Sequence, residues 1–139
     1  MSEYREGTWA TVEQERREYQ RHATTLRVQM FRSDTKPLSA RTASLSLGGL
    51  HIECDRHQAQ LIAPPGGSGQ PAAGRQFTVR ILSVPNQSES KTLTVTTDVT
   101  EIVPLADDVY RVGLRIDRFY GKSRQVLEDY LNSLRQAEE

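Results

Sequence analysis

FTVRILSVPNQSESKTLTVTTDV, residues 77–99, decides the fold. Phe77, Val79 and Ile81 fall on every second position, as do Leu93, Val95, Thr97 and Val99, and a period of two marks strands with one buried face. Between the two runs, Pro85-Asn86-Gln87-Ser88 supplies turn residues. Outward toward the C-terminus, Ala106-Asp107-Asp108 reads as another turn, and Val112, Leu114 and Ile116 mark a further strand. The period then changes: from Lys122 to Ala137, Val126, Leu127, Tyr130, Leu131 and Leu134 share one helical face, with Ser123 as the expected N-cap. Outward toward the N-terminus, Leu26, Val28 and Met30 alternate within 24–31, and 33–37 form a turn. Leu45, Leu47, Leu50, Ile52 and Cys54 read as one strand whose phase slips at Gly48-Gly49, as a bulge or sharp bend would produce. Residues 63–76, APPGGSGQPAAGRQ, predict a mobile loop. Short strands at regular spacing followed by one amphipathic helix predict a small antiparallel β-barrel with the helix packed across it. There is no internal repeat and no second domain.

Composition narrows the function. At 139 residues the chain suits one domain with an ordinary core. Mean hydropathy is -0.61, and no apolar run approaches the roughly 18–20 residues of a membrane span. The first twenty residues lack the apolar core of an export signal, so membrane insertion is not expected and a cytoplasmic address is. A single cysteine, Cys54, excludes an internal disulfide and a cysteine-based zinc site. Net charge is zero, which disfavours a nucleic-acid or membrane coat. Catalysis finds little support. His22, His51 and His57 have no metal-ligand spacing and read as surface or barrel-face residues. Cys54 keeps the apolar phase of its strand, Asp107-Asp108 sits in a turn, and Gly66-Gly67-Ser68-Gly69 lacks the lysine of a phosphate loop.

Arginine outnumbers lysine fifteen to three. A GC-rich genome accounts for such a bias, so only placed arginines carry information. In 10–22, ATVEQERREYQRH, Arg16, Arg17 and Arg21 cluster in a segment with no apolar stripe, where Thr11 and Gln14 could form a capping box. On a helical turn Arg17 and Arg21 lie close enough to clamp one ligand. The same spacing at Arg111 and Arg115 falls on a strand, where the two stand about 13 Å apart and cannot. The alternative for this segment is a solvated helix with Glu13 and Glu18 paired to arginines. Ser44-x-Ser46-x-x-Gly49 is rarer. Two serines two apart on a strand present both hydroxyls on the face opposite Leu45 and Leu47, and glycine at 48 and 49 permits a bend or close ligand approach.

Arg17-x-x-x-Arg21, a strand, and then Ser44-x-Ser46-x-x-Gly49 closely resemble the PilZ domain, a bacterial receptor module for cyclic di-GMP. Val112-Gly113-Leu114-Arg115-Ile116 resembles that family's closing strand, and a terminal helix follows. The resemblance spans about residues 15–135. It implies a six-stranded antiparallel β-barrel with a C-terminal α-helix and a flexible N-terminal arm at 1–14, the PilZ-like domain occupying 15–139. It also implies a non-catalytic role without a cofactor, with cyclic di-GMP as ligand. Arg17 and Arg21, with Arg16 beside them, would meet phosphates and stack on guanines. Ser46 would contribute its hydroxyl, and Gly48 and Gly49 the bend. Position 44 departs from the family, which usually has Asp or Asn there to accept from a guanine edge. Ligand binding would order residues 10–22 and signal to a downstream protein partner. The competing expectation is an adaptor of the same fold that binds the nucleotide weakly or not at all and acts through residues 122–137 or the Pro/Gly loop.

Overall fold

The computed structural model describes residues 21–63 and 75–138. The strands are β1 (His22–Ala23), β2 (Arg27–Phe31), β3 (Leu38–Leu45), β4 (Gly49–Cys54), β5 (Gln76–Asn86), β6 (Glu89–Ala106) and β7 (Val109–Phe119). Helix α1 (Arg56–Ile62) follows β4, and α2 (Ser123–Glu138) ends the described chain. Every pairing is antiparallel, in the order β2-β5-β6-β7-β4-β3, and β3 pairs back to β2. Six strands thus close a barrel, with no free edge left in that ring. The two-strand hairpin read from residues 77–99 is its β5–β6 wall.

The short β1 lies on the same edge of β3 as β2, and the strand expected over 24–31 begins only at Arg27, residues 24–26 forming a gap between the two. Thr42 explains how the gap is tolerated. Its buried hydroxyl accepts from Leu26 N–H at 2.8 Å and donates to the Thr24 carbonyl at 2.6 Å. Those are backbone groups that would otherwise stand unpaired.

Two sequence expectations are corrected here. Residues 45–54 are not one strand with a slip at Gly48-Gly49 but a hairpin, β3 and β4, turning over residues 46–48. The slip in phase lies earlier. Between Thr42, opposite Ile52, and Ser44, opposite His51, β3 holds one extra residue, Ala43. That bulge turns Ser44 outward while keeping Thr42 and Leu45 inside. Strand β3 itself begins at Leu38, where Ala40 and Thr42 fill inward positions too weakly apolar to show as an alternating pattern.

The interior is filled by Met30, Leu38, Leu45, Leu50, Ile52, Phe77, Val79, Ile81, Leu93, Val95, Val112 and Leu114, each 2 % exposed or less. Helix α2 lies against β5 and β6 and adds Val126, Leu127, Tyr130 and Leu131 to that core. Its apolar face is therefore used by the barrel. Ser123 is not its N-cap. It is the first helical residue, and its hydroxyl accepts from Thr94 N–H at 2.9 Å, pinning the helix start to β6. Ser123→Ala leaves that amide without an acceptor and is expected to cost about 1–3 kcal/mol, read as a lower denaturant midpoint at unchanged slope.

Helix α1 leaves no periodic pattern in the sequence, since only Ala59, Leu61 and Ile62 are apolar in its polar run. Its start is set by Asp55, whose carboxylate accepts from Gln58 N–H at 2.7 Å. Asp108, in the β6–β7 turn, accepts from Arg56 N–H at 2.8 Å and ties the helix to the barrel. No described helix is long and apolar enough to cross a membrane.

Candidate functional site

Ser44 and its neighbours meet on the outer wall where β1, β3, β4, β7 and β6 lie side by side. In register, Ala23, Ser44, His51, Gly113 and Glu101 form one row across those strands. The adjacent row is Arg41, Glu53, Arg111 and Val103. Arg21 is exposed and directly precedes β1. Strand alternation sets it on the side of exposed Ala23, opposite buried His22, so it shares the face of Ser44. Of the surface and barrel-face positions expected for His22, the structure rules out the surface: it is 5 % exposed and sits inside with Leu45.

The two serines have different surroundings. Ser44 Oγ lies 3.2 Å from His51 Nδ1, on the outer face. Ser46 is not outward with it: β3 ends at Leu45, and Ser46 is 1 % exposed. Its hydroxyl donates to the Gly49 carbonyl at 3.2 Å and accepts from the N–H groups of Gly48 and Gly49 at 3.3 and 3.2 Å. Ser46 N–H also donates to the Gly49 carbonyl at 2.9 Å. The Ser46 side chain thus builds the turn from inside, a local serine-to-backbone device. Gly49 is required by close approach. A Cβ there would stand 2.3 Å from the Leu114 carbonyl oxygen on β7.

The electrostatics of the wall centre on His51. Burial lowers its pKa from the ordinary 6.5, the Arg21 and Arg111 guanidinium groups lower it further, and Glu101 opposes them. The imidazole is therefore neutral at physiological pH. Arg21 and Arg111 both act on one ring, which places Arg21, Ser44, His51 and Arg111 in one neighbourhood. Arg111 also carries a buried Nε with no hydrogen-bond partner among the described residues. Arg115 is paired to Asp98 at 3.0 Å. The wall offers guanidinium charge, a hydroxyl and a neutral imidazole, a set suited to an anionic ligand with hydrogen-bonding edges.

Arg16 and Arg17 lie outside the described residues, as do the arm at 1–14 and residues 64–74 of the Pro/Gly loop. The structure brings Arg21 to the Ser44–Gly49 hairpin; it shows Arg21 ahead of a strand and not within a helical turn. The sequence motifs do not point to His51 or Arg111, which strand pairing brings to this wall. A signal for His51 existed: once residues 45–54 are read as a hairpin, positions 44 and 51 fall opposite each other.

Elsewhere the chemistry is poorer. A polar cleft between the β5–β6 turn and α2 is lined by Asn86, Gln87, Asp129, Asn132, Ser133 and Gln136, with a carboxylate and no cation, and so does not suit an anion. Among the described residues no group of His, Cys, Asp and Glu could hold a metal ion. The Cys54 thiol is pushed up to about 11 by burial and by Asp55, which leaves it protonated.

A closed antiparallel barrel with a helix across it and an arginine–hydroxyl wall on one hairpin defines the class as small single-barrel modules. A model of the PilZ domain matches residues 15–133, and the chain belongs to the PilZ domain family. Among solved structures, the Bacillus subtilis inhibitor of motility MotI/DgrA superposes with a TM-score of 0.60 at 18% identity, covering 86% of this chain and 50% of that one. The chain thus spans half the length of the Bacillus protein. The PilZ domain of YcgR from Escherichia coli, solved with c-di-GMP, superposes with a TM-score of 0.50 at 17% identity, covering 85% of this chain and 90% of that one. At such identities the likeness is one of fold. No curated protein matches the chain.

Proposed function

We propose that this protein is a non-catalytic bacterial receptor for cyclic di-GMP, held by Arg16, Arg17 and Arg21 on one side and the Ser44–Gly49 hairpin on the other. The observation that carries the reading is the position of Arg21. It directly precedes the strand paired with Ser44, and its charge acts on His51, so the second arginine of the motif and the hairpin share one wall. Guanidinium groups fork onto phosphates and stack on guanine rings. Ser46 takes part by shaping the turn with Gly48 and Gly49, and Ser44 faces the ligand. The ligand is bound reversibly and no cofactor is involved.

Binding orders the arginine segment, and the signal has a short path to the rest of the domain. Thr24, three residues beyond Arg21, shares a hydrogen bond with Tyr130 of α2. A cytoplasmic partner protein would read the change. Val103, Leu105 and Val109, exposed together at the end of the β6–β7 hairpin, are a better candidate surface for it than α2, whose apolar face the barrel already covers.

Calorimetric titration with cyclic di-GMP tests the proposal: a saturable heat that linear dinucleotide does not reproduce supports it, and no heat at saturating ligand favours the adaptor. Ser44→Asp sharpens the test. A carboxylate at 44 adds a charge-assisted hydrogen bond of about 1.5–3 kcal/mol, so binding is expected to tighten about tenfold or more. Unchanged affinity in that variant would place position 44 away from the ligand.

A further inference from the structure

We infer that Ser44 and His51 act as one hydrogen-bonding unit that reads the guanine edge of the nucleotide, His51 supplying recognition that an uncharged residue at position 44 alone would lack. The inference rests on the receptor reading and adds to it a residue outside the family motif.

Three observations support it. The β3–β4 turn register, which pairs Leu45 with Leu50, sets Ser44 opposite His51, with Oγ and Nδ1 3.2 Å apart on the face that Arg21 borders. Across β7 the row continues with Gly113; the His51 ring passes over it, Cδ2 standing 3.5 Å from where a Cβ would sit, and no β7 side chain occupies that position. Two guanidinium groups also act on the ring. Arg21 ahead of β1 and Arg111 on β7 outweigh Glu101 on β6, and with burial they keep it uncharged. On its own strand the next outward residue is Glu53, opposite Arg41 and Arg111.

A neutral imidazole has one donor and one acceptor nitrogen. With Nδ1 accepting the Ser44 hydroxyl proton, Nε2 carries the ring hydrogen and donates, while the free lone pairs of Ser44 Oγ accept. With its proton held by Nδ1, Ser44 Oγ is fixed as an acceptor for guanine's N1–H and amino group, while Nε2–H, pointing away from Oγ across the ring, donates to a separate oxygen of the ligand. An Asp carboxylate at position 44 would likewise only accept. Protonation of His51 would turn Nδ1 into a donor and remove this arrangement, so binding should weaken as pH falls through the lowered His51 pKa.

The test is calorimetry with cyclic di-GMP on wild type, Ser44→Ala, His51→Ala and the double variant at neutral pH, with thermal unfolding of each ligand-free protein alongside. Loss of one hydrogen bond corresponds to about a tenfold weakening. Each single variant is expected to bind about tenfold more weakly, the double variant no more weakly than the singles, and ligand-free unfolding to be unchanged. Wild-type affinity is expected to fall at acid pH while that of His51→Ala stays flat, a readout that a purely structural histidine would not give. Equal affinity of His51→Ala and wild type, losses that multiply in the double variant, or parallel pH profiles would overturn the inference while leaving the receptor reading intact. Absence of binding by wild type would overturn both.

Discussion

Gly49→Ala is expected to destabilise the barrel by about 2–4 kcal/mol, the range of severe overpacking in a closed core. The reason is the identity of the atoms it meets. The new methyl would lie 2.3 Å from the Leu114 carbonyl oxygen and 3.3 Å from Arg115 Cα, all backbone, so no side-chain rotation relieves the contact. Strand β4 would have to move off β7 at the pair Gly49–Arg115, straining the bond from Ile116 N–H to the Gly48 carbonyl (2.9 Å) and the Ser46–Gly49 turn. Gly121→Ala is the control: its φ of +55° strains any side chain, but nothing lies within 4 Å. That substitution should lose only about 1–2 kcal/mol. Denaturant unfolding of the two variants checks the contrast. A Gly49→Ala loss no larger than that of Gly121→Ala would contradict the packing described.

Arg21→Ala is expected to weaken cyclic di-GMP binding by roughly 30- to 1,000-fold, about 2–4 kcal/mol, combining one charge-assisted phosphate contact with lost stacking on a base. Stability should hold, because Arg21 is exposed and lies outside the strand ladder. The separation of the two effects is what makes the prediction specific. Arg115, already paired to Asp98 and largely exposed, should tolerate alanine with little loss of affinity. Equilibrium binding of the two variants decides the point, and equal losses would show a diffuse charge effect in place of a site.

The period-two runs at 77–99 and 112–116 exposed the barrel walls in the sequence, because each strand buries one face against a single core. The period change at Lys122 exposed α2 for the same reason. Strand β3 was hidden: its inward positions hold Ala40 and Thr42, and its bulge at Ala43 breaks the alternation that would have revealed it. Helix α1 was hidden because Asp55 and Asp108 fix it by capping and a long-range bond, neither of which leaves a periodic trace.

Of the candidate site, the motif residues could be named from spacing, but their geometry could not. Ser44 and Ser46 looked equivalent as alternate strand positions. The end of β3 at Leu45 separates them, one facing outward beside His51 and one buried under the turn. His51 becomes legible only when residues 45–54 are read as a hairpin, and Arg111 depends on long-range strand pairing, which leaves no local signal.

The most direct test of the receptor account is amide chemical-shift mapping during a titration with cyclic di-GMP. The account predicts saturable shifts concentrated at residues 16–23 and 44–51, spreading through Thr24 to Tyr130, and absent from the Arg17→Ala/Arg21→Ala double variant. No saturable shift, or shifts confined to the cleft between α2 and the β5–β6 turn, would contradict it.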